Sequence, residues 1–125
     1  MIDFSNGTFA KLRQVHPQDG FNMVQGLLIQ GENILSAYKG IRDYVIFTNK
    51  RVISVNVQGM TGKKKDFTSL PYAKITAFSV ETAGVLDLDG ELDLWFSGLG
   101  NVRFEFSGRC DIVQIGQLIA SFALR

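Results

Sequence analysis

The sequence predicts a mainly β domain of about seven antiparallel strands closed by a C-terminal α-helix, with a short helix near the N-terminus. Three observations predict it. Apolar and polar residues mostly alternate between residues 32 and 106, and Gly, Pro and Asn cut that stretch into strand-length pieces. From residue 111 the period changes, and apolar residues recur at spacings of three and four. With 125 residues, 46% hydrophobic and 20% charged, the chain has the apolar content for a packed core.

In chain order, residues 1–31 form an N-terminal segment. Residues before Pro17 carry no clear period and read as an arm or a packing segment. Phe21, Val24, Leu27 and Leu28 follow Asp19-Gly20 at helical spacing, which predicts a short helix over residues 20–29. Strands are expected over residues 34–39, 44–48 and 51–57. The last two are joined by Asn49-Lys50, a two-residue hairpin in which Asn49 suits a left-handed backbone. In the second arm Ile53, Val55 and Val57 share one face. A polar loop over residues 58–65 precedes a short strand that Pro71 stops, and residues 75–81 alternate again.

Leu92, Leu94 and Phe96 make an inward set opposite Asp93, Trp95 and Ser97, so Trp95 is expected to be partly exposed. Val102, Phe104 and Phe106 alternate with Arg103 and Glu105 in the last strand. Ile112, Ile115, Leu118, Ile119 and Phe122 build one helical stripe, with Asp111 at its N-terminal turn and Arg125 at its C-terminal end. The reading is a single domain, 1–125: the N-terminal segment, a β region at 32–106 and a capping helix at 111–125.

Composition removes several function classes. Thirteen basic and twelve acidic side chains give a net charge of +1, without the basic excess that phosphate-backbone binding uses, so no nucleic-acid partner is expected. The lone Cys110 allows no intrachain disulfide, which fits a reducing compartment. The first fourteen residues lack the apolar core of a leader, and the longest apolar run falls far short of the roughly 20 residues that span a bilayer. A cytoplasmic location is the expectation.

Catalytic and metal constellations are weak. The single histidine, His16, stands far in sequence from Cys110, so a Cys–His pair lacks its orienting partner. His16 reads as a surface or packing residue and Cys110 as a small, partly buried one. Asp87-Leu88-Asp89-Gly90-Glu91 has spaced carboxylates but is too short for a calcium loop, and reads as outward acids at a turn. The stretch from Gly59 through Lys63, Lys64 and Lys65 has neither the phosphate-loop spacing nor a following helix, and reads as a solvated hairpin tip. No enzyme activity, cofactor or metal is expected.

Local strings carry a resemblance. Tyr38-Lys39, Ile41-Arg42-Asp43, Phe47-Thr48-Asn49-Lys50-Arg51, Gln58-Gly59, Thr61-Gly62-Lys63-Lys64, Pro71-Tyr72, Phe78 to Gly84 and Glu91-Leu92-Asp93-Leu94-Trp95 together resemble the bacterial family of pleckstrin-homology-like domains. The resemblance implies a strongly bent antiparallel barrel of seven strands whose open end is plugged by the C-terminal helix. It also implies a stand-alone, non-catalytic adaptor that assembles with itself into a cyclic ring, pentameric in the single-domain form, and offers a hydrophilic face to an unidentified protein or peptide. On that footing Arg42, Asp43, Asn49 and Lys50 are the expected docking groups, and Trp95 the expected contact between subunits. The alternative is a peripheral module that meets anionic lipid headgroups through Lys63, Lys64 and Lys65. The turn at residues 39–43 is short, sets Arg42 beside Asp43, and lacks the spaced basic set of the eukaryotic inositol-phosphate sites on this fold.

Overall fold

Eight strands line up in one sheet in the order β5-β4-β3-β2-β1-β8-β7-β6. They are β1 (Phe9–Val15), β2 (Ile34–Lys39), β3 (Tyr44–Thr48), β4 (Arg51–Gln58), β5 (Lys64–Pro71), β6 (Ile75–Thr82), β7 (Gly90–Phe96) and β8 (Gly100–Phe106). Two helices, α1 (Pro17–Val24) and α2 (Ile112–Ala123), complete the fold. The structure is a computed structural model that describes residues 1, 3–4, 9–82, 89–108 and 110–124. Residues 83–88, between β6 and β7, and Arg125, expected at the C-terminal end of the last helix, lie outside the described residues.

The strands from β2 onward fall where alternation places them, except that the loop expected over residues 58–65 is shorter: Gln58 ends β4, and Lys64 and Lys65 begin β5, paired with Gln58 and Val57. The sequence predicts seven strands; among the described residues the structure has eight, because β1 is a strand too. It pairs antiparallel with β2 and parallel with β8, and so joins the two halves of the sheet. Its pattern is hidden by a shift in register between Phe9 and Leu12, where Lys11 takes a φ of 55°. The extra residue sets the two buried side chains three apart instead of two, and alternation disappears. The sheet does not close: β5 and β6 are its edges.

Two cores lie on the two faces of the sheet. On the inner face Phe9, Leu12, Val45, Phe47, Val52, Leu92, Leu94 and Phe104 pack together, and α2 closes the end with Ile112, Ile115 and Ile119. Tyr72 stacks on Phe122 at a centroid distance of 5.0 Å. Asp111 caps the helix by accepting the Gln114 N–H at 3.0 Å.

The second core, Val24, Ala37, Ile46, Ile53 and Val55, lies on the outer face beneath α1. Both faces of β3 and β4 are therefore covered, which the single apolar face read for β4 does not anticipate. Ser54, on the inner side of β4, has a buried Oγ without a hydrogen-bond partner.

The first helix starts earlier than residue 20. Pro17 occupies its first turn, where a missing N–H costs nothing, and His16 Nδ1 accepts the Gln18 N–H at 3.0 Å. The helix stops at Val24 and gives way to one tight turn, Gln25–Leu27. Its buried residues are Gly20 and Val24, whereas Phe21 and Leu27 are each 40% exposed. Gly20 explains the difference. A Cβ there would sit 2.8 Å from the Ala37 Cβ, so the helix approaches the sheet along its smallest residue.

The 3–4 hairpin also departs from expectation, since Lys11 is the one described non-glycine residue with positive φ and Asn49 is not left-handed. Thr48 makes that turn instead: its hydroxyl accepts the N–H groups of Lys50 and Arg51, each at 3.0 Å.

Candidate docking surface

Two turns meet at one end of the sheet. The turn between β2 and β3 is closed by the Gly40 N–H donating to the Asp43 carbonyl at 2.8 Å. Asp43 then staples it to β4, its Oδ1 accepting the Val57 N–H at 2.9 Å and the Asn56 amide at 3.2 Å. Arg42 reaches across to the neighbouring β4–β5 hairpin and donates to the Gly59 carbonyl. That hairpin bends at Gly59 and Gly62, with φ of 78° and 68°. Lys63, Lys64 and Lys65 are exposed on it. Arg42 therefore belongs with the lysines.

The tips of these turns are apolar. Ile41 is 84% exposed and Met60 fully exposed, each next in sequence to one partner of the Arg42–Gly59 bond. The sequence signal for both was an apolar residue inside an otherwise polar turn, Gly40-Ile41-Arg42 and Gly59-Met60-Thr61. Nearby, the Asp66 carboxylate is engaged by the N-terminal amine at 2.8 Å, and that contact holds its carboxyl below the usual carboxylate range. Lys39 Nζ lies 5.5 Å from the centre of the Tyr44 ring.

Asn49 and Lys50 stand at the other end of β3, about 17 Å of strand away. The four polar residues expected to dock together are thus split between two ends. Asn49 is occupied structurally: its amide donates to the Gly31 carbonyl at 2.9 Å and accepts the Asn33 N–H at 2.8 Å. Lys50 is exposed.

Behind that hairpin lies a polar network that sequence reading missed. Arg51 donates to both Glu32 carboxylate oxygens at 2.9 Å, to the Leu27 carbonyl at 2.7 Å and to Ser69 at 2.8 Å. Thr48 donates to Glu32 at 2.7 Å, and Tyr72 donates to the Thr48 carbonyl at 2.7 Å. Burial alone pushes the Glu32 carboxyl up, but the bonds from Arg51, Thr48 and the Ile29 N–H outweigh it and the net shift is downward. Burial pushes the Tyr72 phenol up. The only sequence signal was Thr48 placed just before a turn. Nothing in spacing linked Glu32 to Arg51.

On the outer face of β6–β8, Trp95 is 38% exposed, beside Ala77 on one strand and Asn101 on the other. Asp93, below it on β7, is clamped by Arg103 at 3.0 and 3.2 Å and by Asn101 at 3.1 Å. This pairing, then Glu91 nearby, raises the Arg103 guanidinium further.

His16 serves as a helix cap and is exposed. Cys110 is fully buried rather than partly so, and burial pushes its thiol up. Asp87 and Leu88 of the acidic run lie outside the described residues. Among those described, no group of three or more His, Cys, Asp or Glu side chains is placed to hold a metal.

The family model of the bacterial PH (pleckstrin-homology) domain matches residues 3–123. The chain belongs to this family. Bacterial PH domains of known structure are close to it: a DUF1696 family protein with a pleckstrin-homology domain from Shewanella loihica PV-4 is 40% identical, covers 92% of this chain and 99% of its own, and superposes with a TM-score of 0.79. A pleckstrin-homology domain from Shewanella amazonensis SB2B is 38% identical with a TM-score of 0.68, over 96% of this chain and 94% of its own. The uncharacterised protein YjqA of Bacillus subtilis is 45% identical over 100 residues, 78% of this chain and 80% of that protein. Among the described residues no helix is long and apolar enough to cross a membrane.

Proposed function

We propose that this bacterial PH domain is a non-catalytic binding module whose copies join edge to edge into a closed ring and present a repeated polar surface to a partner protein. The observation that carries the reading is the open sheet. An unprotected edge strand is a template for pairing. Strand β5 carries Lys64 and Lys65 and ends in Pro71, whereas β6 has no Lys or Pro and a single charge, Glu81.

The two edges are complementary. Antiparallel pairing with Lys65 opposite Glu81 sets Phe67 opposite Ser79 and Ser69 opposite Ala77. Phe67, 38% exposed on β5, then faces Trp95 across the small side chains of Ala77 and Ser79. Contact between two different patches closes a ring when the rotation allows it. Identical copies around an axis supply avidity to a weak single-site contact.

Native mass in solution tests this. The expected value is near five times 13.9 kDa and independent of concentration. Trp95→Asp or Phe67→Asp, both at exposed positions, should release a folded monomer; a monomeric parent chain would overturn the ring.

A second reading is favoured by one specific observation. Arg42 lies with Lys63, Lys64 and Lys65 at one end of the sheet, which suits a peripheral contact with an anionic membrane.

A further inference from the structure

We infer that the groove between α2 and the β1–β2 ladder is a binding site for an uncharged, hydroxyl-rich small molecule of the sugar class, held through the side-chain amides of Gln14, Gln114 and Gln117 and the hydroxyl of Ser36. The site is independent of the ring and of the membrane contact. Strands β1 and β2 lie in the middle of the sheet, and neither edge strand lines the groove.

The way α2 packs leaves the space. A Cβ on Gly116 would lie 3.0 Å from Val80 Cγ1, so helix and β6 meet along the helix's smallest residue. At about 3.6 residues per turn, Gln114, Leu118 and Ser121 fall on the side of α2 opposite Gly116. That side borders a groove of about 350 Å³, which Gln14 of β1 and Ser36 and Tyr38 of β2 also line. Sites for small ligands commonly span about 300–1,000 Å³.

Its polar groups are unspent. Among the described residues, Gln14, Gln114 and Gln117 make hydrogen bonds only through their backbones, so three side-chain amides stand free. Ser36 Oγ is buried without a hydrogen-bond partner, an arrangement that costs stability unless something else fills the vacancy. Burial pushes the neighbouring Tyr38 phenol up, and the Ser36 hydroxyl offsets part of that push.

Chemistry selects the occupant. No lining residue carries a charge, so an ionic ligand would lose its hydration and gain no counter-charge. Each primary amide offers both donors and an acceptor, and a hydroxyl group answers both. Leu35, Ile115 and Leu118 add apolar surface that suits the C–H faces of a sugar ring. Gln14 and Tyr38 pair across the β1–β2 ladder, so the wall there presents side chains and gives strand addition by a peptide no template.

Nitrogen-15 correlation spectra of the full chain, with the glutamine side-chain amides resolved, test this by titration with glucose, N-acetylglucosamine, maltose and trehalose, and with glucose 6-phosphate and glucosamine as charged counterparts. The expected result is saturable shifts at the Gln14, Gln114 and Gln117 amides and at residues 35–38 with at least one neutral sugar, and at least tenfold weaker binding of the charged compounds. Gln114→Ala with Gln117→Ala, both at exposed positions, should weaken binding about tenfold through two lost hydrogen bonds while native mass and Tm stay unchanged. Ser36→Ala should also weaken binding without lowering Tm, since it removes an unpartnered hydroxyl. No saturable shift with any of the four neutral sugars overturns the site. Equal binding of charged and neutral compounds, or full binding in the double variant, overturns the assigned chemistry.

Discussion

Replacing Glu32 by Gln changes one charge and almost no volume, inside the network that ties the residues after α1 to the 3–4 hairpin. The carboxylate is fully buried, and Arg51, its partner, keeps about a fifth of its side chain in solvent. Glutamine retains an oxygen for the Ile29 N–H or for Thr48, but it turns an NH₂ toward a guanidinium that can only donate.

One of the two bonds from Arg51 is lost, about 1.5–3 kcal/mol before relaxation, and the other is weakened because its acceptor is now neutral. Breaking one side of a buried pair costs about 3–5 kcal/mol. Partial hydration of Arg51 lowers this, so the expected loss is about 2–4 kcal/mol. At roughly 3–5 °C per kcal/mol for a chain of this size, Tm should fall by about 10 °C.

The same group gives a pH signature. The folded Glu32 carboxyl lies below its ordinary value of 4.5. Its stabilisation is therefore complete above pH 4.5 and is lost as pH falls through the folded value. Urea unfolding of both proteins at fixed concentration, at pH 7 and pH 3.5, is the assay. The gap between them should be full at pH 7 and narrow on acidification. A loss under about 0.5 kcal/mol, or a gap that does not change with pH, would refute the role given to the ion pair.

Three further outcomes are expected. Gly20→Leu should destabilise the protein by about 1–3 kcal/mol, because a Cβ there already meets Ala37 at 2.8 Å; an unchanged Tm would contradict that close approach. Tyr72→Phe removes the phenol that reaches the Thr48 carbonyl and should cost about 1 kcal/mol or more in denaturant unfolding, without altering native mass. Cys110 should resist a thiol reagent at pH 8 until urea opens the core, since it is buried and burial raises its pKa; rapid labelling of the native protein would contradict this.

The parts of the fold that sequence made legible are those governed by a regular period. Ile34–Lys39 and Tyr44–Thr48 come out with the expected bounds, and the α2 stripe buries Ile112, Ile115 and Ile119 as its spacing requires. What failed was local and has physical causes. The bulge at Lys11 erased the alternation of β1. Pro17 and His16 start α1 before its apolar spacing begins, and Gly20 carries the contact that Phe21 was expected to make.

Legibility at the candidate surfaces followed the same line. Trp95 was placed on the outer face by alternation alone. The separation of Arg42 from Asn49 depends on strand direction, and the union of Arg42 with Lys63 depends on a bond between two turns. Neither is a periodic property. Asp43 and Asn49 looked like free polar groups, yet both are spent on backbone partners, as short polar side chains near turns commonly are.

The parallel pairing of β1 with β8 joins the first strand of the chain to the last, with Phe9 beside Phe104. During synthesis β1 must therefore wait until residues 100–106 are made before its second neighbour exists. Until then β2–β5 can zip by short hairpins, while Phe9 and Leu12 have no finished cavity to enter. Closure over roughly 95 residues is the entropically slow step. A pause before residues 100–106 would hold the protein with β2–β5 paired and β1 still lacking its second neighbour, the interval in which its apolar interior is open to other chains.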